Sequence, residues 1–387
     1  MHVKALSALL SLAMGITAAS NPMAVILPRS PTPYQPGSVE SYQAELVRRD
    51  MSQGPGMIKR CKSQARDASA SAPAASPAGA TVELKLEDHS PMLPRLMLPM
   101  QLGSRDVEVD MYIAGANRDC IVFGGPYDPT QSSSAVSYNT SFLNELGGPR
   151  RGQLWSDTVR LSSMTAKNVT VGFVPRGSGG GQCGIAWQAP GASFFGYDDA
   201  YSAYLDDLRE DGAMSPGRFS IQYQLGGAST MSFGSAVTDP KGSGEWIAAD
   251  PQAPGFWSVP GALGDSESTF LVVDPSAYSI YGKTGDLMPV IHQLGLANST
   301  FRDEDNLLSA TYPCDKAPEV TITVGNVKIP LTKEVMTFGK DAKGDCVLPF
   351  KGNDNLQYPS FLGSPFLASI KSIIFDMDTR SLSVVPL

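Results

Sequence analysis

Histidine is nearly absent: three residues in 387. His2 lies in an N-terminal apolar segment, and His292 falls on an apolar helical stretch where it reads as a packing or surface residue. With only His89 left, a Ser-His pair or a His-based metal site has little to build on, and no metal and no cofactor is expected. Basic charge is also short. Thirty Lys and Arg against 38 Asp and Glu give −8 at pH 7 and a sequence pI near 5.0. Nucleic acid would need a basic face, so that class of partner is set aside. The apolar run Ala5 to Ile16 falls short of the about 20 residues that cross a bilayer. Preceded by Lys4 and followed by Thr17-Ala18-Ala19-Ser20, it has the order of a cleavable secretory signal over residues 1–20. The chain is therefore expected to be secreted, without a membrane span.

Secretion permits disulfides, and the cysteines are Cys61, Cys120, Cys183, Cys314 and Cys346, an odd number that leaves one over. Asn139-Thr140-Ser141, Asn168-Val169-Thr170 and Asn298-Ser299-Thr300 are acceptor triplets for N-glycosylation and should lie at the surface. Residues 21–80 show little hydrophobic periodicity, and Ser63 to Ala80 is mostly Ala, Ser and Pro, too poor in large apolar groups to fold. This span reads as a pro-segment or disordered linker. Arg48-Arg49 and Lys59-Arg60 are dibasic pairs at which processing could occur.

Beyond Ala80 short alternating apolar runs predict strands at Val82 to Leu86, Val107 to Ile113, Thr158 to Leu161, Val169 to Val174, Phe219 to Tyr223, Phe270 to Val273, Val320 to Val324, Ile373 to Phe375 and Leu382 to Val385. Gly325-Asn326 between two valines predicts a tight hairpin. Helical signals are few: Tyr201 to Asp211, stopping at Gly212, and Leu287 to Leu294, stopping at Gly295. The expected fold is mostly β, and the length suits two domains of ordinary size.

Several chemical motifs fail on context. Gly179 to Gly184 matches G-x-G-x-x-G, yet Ile185-Ala186-Trp187 and Pro190 follow in place of a helix, so no helix N-terminus awaits a pyrophosphate. Asp206-Asp207 and Glu210-Asp211 read as the solvated face of a helix and lack the spacing of a calcium loop. What remains is Phe270-Leu271-Val272-Val273-Asp274-Pro275-Ser276-Ala277, a strand that delivers an aspartate to a turn. Near the C-terminus, Pro359-Ser360-Phe361-Leu362-Gly363-Ser364-Pro365-Phe366-Leu367 leads into Ile373-Ile374-Phe375-Asp376 and Leu382-Ser383-Val384-Val385-Pro386.

These last segments resemble the second half of the pepsin-type aspartic proteases, and the chain from about residue 82 to 387 resembles a fungal-type secreted member of that family. Leu98 to Gly103, Gly152 to Val159, Cys183-Gly184-Ile185-Ala186, Tyr204 to Tyr223, Gly244 to Ile247 and Gly255 to Val259 resemble its other landmarks, in order. The resemblance implies a bilobal pepsin-like fold of two β-barrel-like lobes, 81–236 and 237–387, with a central cleft for a peptide or protein ligand, and a monomer. It implies a Cys314–Cys346 disulfide, and it brings Cys120 and Cys183 close enough for a second.

The family's chemistry needs one aspartate from each lobe, so that two carboxyls share a proton and split the roles of base and acid. Asp274 matches the second-lobe aspartate. In the first lobe no aspartate is found: setting Gly115 on the glycine of the family's Asp-Thr-Gly-Ser loop puts Ile113 at the aspartate, Ala114 at the threonine and Ala116 at the serine. Asp110 and Asp119 are the nearest stand-ins, Asp110 on the opposite face of the strand from Ile113. In the second loop Pro275 replaces a threonine that helps to lock the loops together, and Ala277 replaces the hydroxyl that orients the aspartate. Trp187 stands where a glycine normally threads beneath the active-site strand, and no flap tyrosine is found near residues 144–147. The degenerate site predicts a pseudoprotease that binds a peptide or other extended ligand. Two alternatives are an atypical aspartic endopeptidase using Asp274 with another acid, and an enzyme acting on a small molecule.

Overall fold

In the computed structural model of the chain the described residues are 79–387, apart from 90–91, 116, 145–149, 178, 188–202, 239–244, 251–255, 265, 304, 355 and 357–359. The expected secretory signal, residues 21–78 of the expected linker with its dibasic pairs and Cys61, and the expected flap tip therefore lie outside the described residues, as does the side chain of His89; the linker's last two residues, Gly79 and Ala80, instead belong to the first strand, where Ala80 is buried. No helix among the described residues is long and apolar enough to cross a membrane.

The first ten strands are β1 (Gly79–His89), β2 (Met92–Leu102), β3 (Val107–Ala114), β4 (Cys120–Phe123), β5 (Val136–Asn144), β6 (Arg150–Leu161), β7 (Met164–Val174), β8 (Gly181–Gly184), β9 (Arg218–Gln222) and β10 (Ser229–Gly234). Next come β11 (Trp246–Ala248), β12 (Ser258–Leu263), β13 (Thr269–Val273), β14 (Ile280–Lys283), β15 (Thr300–Arg302), β16 (Leu308–Tyr312), β17 (Thr321–Val324) and β18 (Val327–Pro330). The last five are β19 (Cys346–Val347), β20 (Phe350–Asn353), β21 (Ser360–Leu362), β22 (Ile370–Asp376) and β23 (Ser381–Pro386). They form a 13-stranded sheet, β11-β23-β22-β9-β10-β1-β2-β3-β8-β4-β7-β6-β5, and a 10-stranded sheet, β15-β16-β20-β14-β21-β13-β12-β17-β18, with β19 beside β16.

Alternation explains the half-buried strands. In β3, Val109, Met111 and Ile113 point into the core while Asp110 and Tyr112 are half-buried on the other face. Where a strand is covered on both faces alternation disappears, as in β4, whose Cys120-Ile121-Val122-Phe123 is buried throughout. The hairpin expected at Gly325-Asn326 joins β17 to β18, with Val324 opposite Val327 and Gly325 at φ 58°. Both expected helices form, α1 (Tyr204–Glu210) and α2 (Thr284–Gln293), followed past their C-caps by Gly212 and Gly295 at φ 72° and 73°, the left-handed conformation that ends a helix. Two short ones, α3 (Lys333–Met336) and α4 (Ser364–Leu367), complete the set among the described residues.

The acidic side of α1 departs from expectation. Asp206 and Asp207 are buried, not solvated: the Asp207 carboxylate accepts the Thr170 N–H at 3.2 Å, and Asp211 accepts the Lys167 N–H at 2.8 Å. Both donors belong to β7, where the chain turns through Asn168 at φ 57°. The two acids serve as acceptors for backbone N–H groups of β7.

Three strands from beyond residue 237 enter the 13-stranded sheet, with β22 paired to β9 through Ile373 opposite Ile221 and Phe375 opposite Phe219. Phe219 stacks on Phe375 at 4.6 Å between centroids, and Trp257 leans on Phe375 at 5.1 Å. Trp257 Nε1 donates to the Ile185 carbonyl at 2.6 Å, and Trp187 Nε1 donates to the Phe256 carbonyl at 3.0 Å. Each indole thus closes a buried hydrogen bond across to the other's segment. Disulfides join Cys120 to Cys183, across β4 and β8, and Cys314 to Cys346.

Candidate active site

β3 and β13 run into two loops of the same construction. Gln182 of β8 pairs with Tyr112 on its parallel neighbour β3 and with Ile121 on its antiparallel neighbour β4. Phe361 of β21 pairs likewise with Val272 on parallel β13 and with Tyr281 on antiparallel β14. Outside these, β4 runs parallel to β7 with Ile121 opposite Gly172, and β14 runs parallel to β20 with Tyr281 opposite Lys351. The loop from Tyr112 to Ile121 therefore has the same length as the loop from Val272 to Tyr281, and position matches position.

In that register Ile113 corresponds to Val273, and Ala114 corresponds to Asp274. The expectation that Ile113 stands at the first-loop acid's position is thus corrected by one residue. Gly115 is not the loop's turn glycine. Gly115 corresponds instead to Pro275, and a Cβ on it would lie 2.0 Å from the Val273 carbonyl oxygen and 2.5 Å from Asp274 Cα. It is glycine because the other loop's backbone leaves no room for a side chain.

A second contact checks the correspondence. A Cβ on Gly363 would meet the Ala277 carbonyl oxygen at 2.2 Å, and one on Gly184 would meet the Asn117 carbonyl oxygen at 1.9 Å. Asn117 is the register equivalent of Ala277, so Gly184 is the glycine that passes beneath the first loop. Trp187 is not at that position; it is a core residue with Arg380 stacked on its ring at 4.7 Å.

Asp274 is buried, and its Oδ1 accepts three hydrogen bonds: from Gly115 N–H at 2.8 Å, Ser276 N–H at 3.0 Å and Ser276 Oγ–H at 2.7 Å. The expected loss of the orienting hydroxyl is also corrected, because Ser276 supplies it one residue before Ala277. Burial pushes the Asp274 carboxyl above the usual carboxylate range, against the pull of these donors and of the Arg95 charge.

Arg95 is the residue that sequence reasoning missed. It lies on β2, is almost fully buried, stacks on the Tyr112 ring at 4.5 Å and binds Glu87 through Nη2 at 2.6 Å and Nε at 3.0 Å. The Tyr112 hydroxyl donates to the other Glu87 oxygen, and burial followed by this bond raises the phenol to about 12. One signal was available: a lone cation within the apolar strand Met-Leu-Pro-Arg-Leu-Met-Leu.

Neither stand-in acid joins Asp274. Asp110 shares a face with Ala114, but it lies four residues back, about 13 Å along a strand, and its carboxylate is paired with Lys85 at 2.8 Å. Asp119 is buried at the start of β4, where its backbone carbonyl accepts the Gly184 N–H at 2.9 Å. Asn139, Asn168 and Asn298 are all exposed, and so is His292. No cluster of three or more metal-ligating side chains occurs among the described residues.

The eukaryotic aspartyl protease family profile matches residues 100–387. A curated relative, Secreted aspartyl protease 1 of Malassezia globosa, is 22% identical over 297 residues, covering 74% of this chain and 72% of its own length. Among solved structures, an aspartic proteinase from Irpex lacteus superposes with a TM-score of 0.63 at 16% identity, over 80% of this chain and 97% of that one. The fold is therefore the bilobal, mostly β pepsin-like fold, and the chain belongs to the eukaryotic aspartyl protease family.

Proposed function

We propose that this chain is a secreted pepsin-like protein that has lost peptide-bond hydrolysis and keeps its cleft, between lobes at 81–236 and 237–387, to bind a peptide, a protein or another extended ligand. One observation carries the reading: Ala114 is in register with Asp274. Acid-protease chemistry asks one carboxylate to take a proton from water while a second, protonated carboxyl donates to the scissile carbonyl. Ala114 offers no group for either role, and the nearest acid on its strand face is tied to Lys85. Asp274 alone can orient a water but cannot act as base and acid in one step. With Oδ1 engaged by the first loop's Gly115 N–H, its role here is to hold two loops together. Similarity to a secreted aspartyl protease supports the location, and similarity to an aspartic proteinase supports the cleft.

Hydrolysis is the direct test. Processed protein is incubated with denatured protein substrate from mildly to strongly acidic pH, with and without pepstatin, beside an Asp274→Asn variant. No cleavage above background is expected for either protein, together with capture of peptide ligands by both. Cleavage that pepstatin stops and the substitution abolishes would falsify the pseudoprotease reading and favour Asp274 working with another acid.

A further inference from the structure

β5 ends the 13-stranded sheet, and among the described residues its only strand partner is β6. An edge strand presents a row of backbone N–H and C=O groups on which a second chain can add a strand, and proteins blunt such edges with charge, proline, shortness or bulges. The other three sheet edges show those devices. β18 carries Lys328 and Pro330, β15 is three residues long and carries Arg302, and β11 is three residues long with Arg218 stacked over Trp246 at 5.1 Å. β5 is nine residues long, and its sequence Val-Ser-Tyr-Asn-Thr-Ser-Phe-Leu-Asn has no charge and no proline. Its Val136 is 59% exposed and its Tyr138 38% exposed, both strong strand formers.

The one irregularity in β5 is a break in register between Ser137 and Ser141. Asn139 sits in it, exposed and at φ 54°, a left-handed conformation that asparagine tolerates better than most residues. Asn139-Thr140-Ser141 is also an acceptor triplet. We propose that Asn139 carries an N-linked glycan and that this glycan guards the β5 edge against strand addition by a second chain. A bulky hydrated sugar attached where the ladder is already interrupted costs no backbone hydrogen bond and fills the approach to the exposed edge. The inference rests on secretion through a glycosylating pathway. Asn168, on the interior strand β7, and Asn298, in a single 3-10 turn, are exposed acceptors away from the edge and serve as controls.

The test uses the full chain expressed through a eukaryotic secretory pathway. Glycopeptide mapping with and without peptide N-glycosidase reads occupancy, and size exclusion with light scattering reads self-association of the parent, the enzymatically deglycosylated protein and the Asn139→Gln, Asn168→Gln and Asn298→Gln variants. Expected are an occupied Asn139 and a several-fold larger associated fraction for Asn139→Gln and the deglycosylated protein, with no change for the other two variants. Adding Val136→Lys to Asn139→Gln restores the monomer by placing charge on the edge. An unoccupied Asn139 beside an occupied Asn168 or Asn298 overturns the proposal while leaving secretion intact. Three unoccupied acceptors overturn both, and an Asn139→Gln variant as monomeric as the parent overturns the guarding role.

Discussion

Gly115 and Asp274 form one structural unit, although 159 positions separate them. The glycine's missing side chain lets the first loop approach the Val273 carbonyl closely enough for its N–H to reach the Asp274 carboxylate. Gly115→Ala puts a Cβ against main chain, which cannot rotate away. Overpacking of that kind costs about 1–3 kcal/mol, read as a lower urea midpoint with unchanged slope; an unchanged midpoint would show that the loops are not in contact. Asp274 adds a pH dependence. Its folded pKa is raised above the unfolded value of about 3.9, so its contribution to stability is fully present below that value and is lost as pH rises through the folded pKa. Asn at 274 keeps the accepting oxygen and removes the titration. The Asp274→Asn variant should therefore match the parent near pH 3 and become the more stable of the two as pH rises toward 7. Denaturant midpoints across that range decide it, and a parent that gains on the variant at neutral pH contradicts the raised pKa. Asp110 and Asp119 show why counting acids near a strand is insufficient: one is held by Lys85, and the other is buried at the start of β4.

At the scale of elements, α1 is held by its apolar stripe and, to β7, also by a buried acid. Tyr204, Leu205 and Leu208 are buried, and Asp207 is buried beside them with the Thr170 N–H as donor. Asp207→Ala leaves that N–H without its acceptor and should cost about 1–3 kcal/mol, measured by chemical unfolding, against a near-neutral change for Glu210→Ala on the exposed side. Equal effects at the two positions would mean that the Asp207 bond contributes nothing. Tertiary contact also explains why the strands were easier to foresee than the acidic helix. The period-two alternation of β3 and the Gly-Asn turn before β18 are local facts. The demand for an acceptor on α1 arises from the Thr170 N–H, in another element.

For the whole molecule, the end of the chain stands inside the 13-stranded sheet, since β22 and β23 separate β9 from β11. Removing residues 370–387 takes away Phe375 from between Phe219 and Trp257, together with the buried Ile370, Ile373, Ile374, Leu382, Val384 and Val385. At about 1.5–3 kcal/mol for each large apolar side chain, the loss of roughly 10–20 kcal/mol is comparable to the about 5–15 kcal/mol that holds a typical domain folded. The truncated chain should show no cooperative thermal transition by calorimetry; a sharp transition would mean that the remaining residues form an independent domain. The mostly β class, the family, the strand that delivers Asp274 to a turn and the positions of both disulfides were legible in the amino-acid order, because alternation, turn residues and landmark sequence are properties of neighbours along the chain. The partner of Asp274 was not. Whether Ile113 or Ala114 matches it depends on which residues pair across β3, β8 and β4, a relation between segments about 60 to 70 positions apart. Likewise Ser276 in place of Ala277 as the orienting hydroxyl, and Gly184 in place of Trp187 beneath the loop, follow from contacts through space. The sequence predicted an apolar residue at the first-loop position that matches Asp274; only the tertiary structure decided that this residue is Ala114, because a one-residue change of register turns every side chain of a strand to its other face.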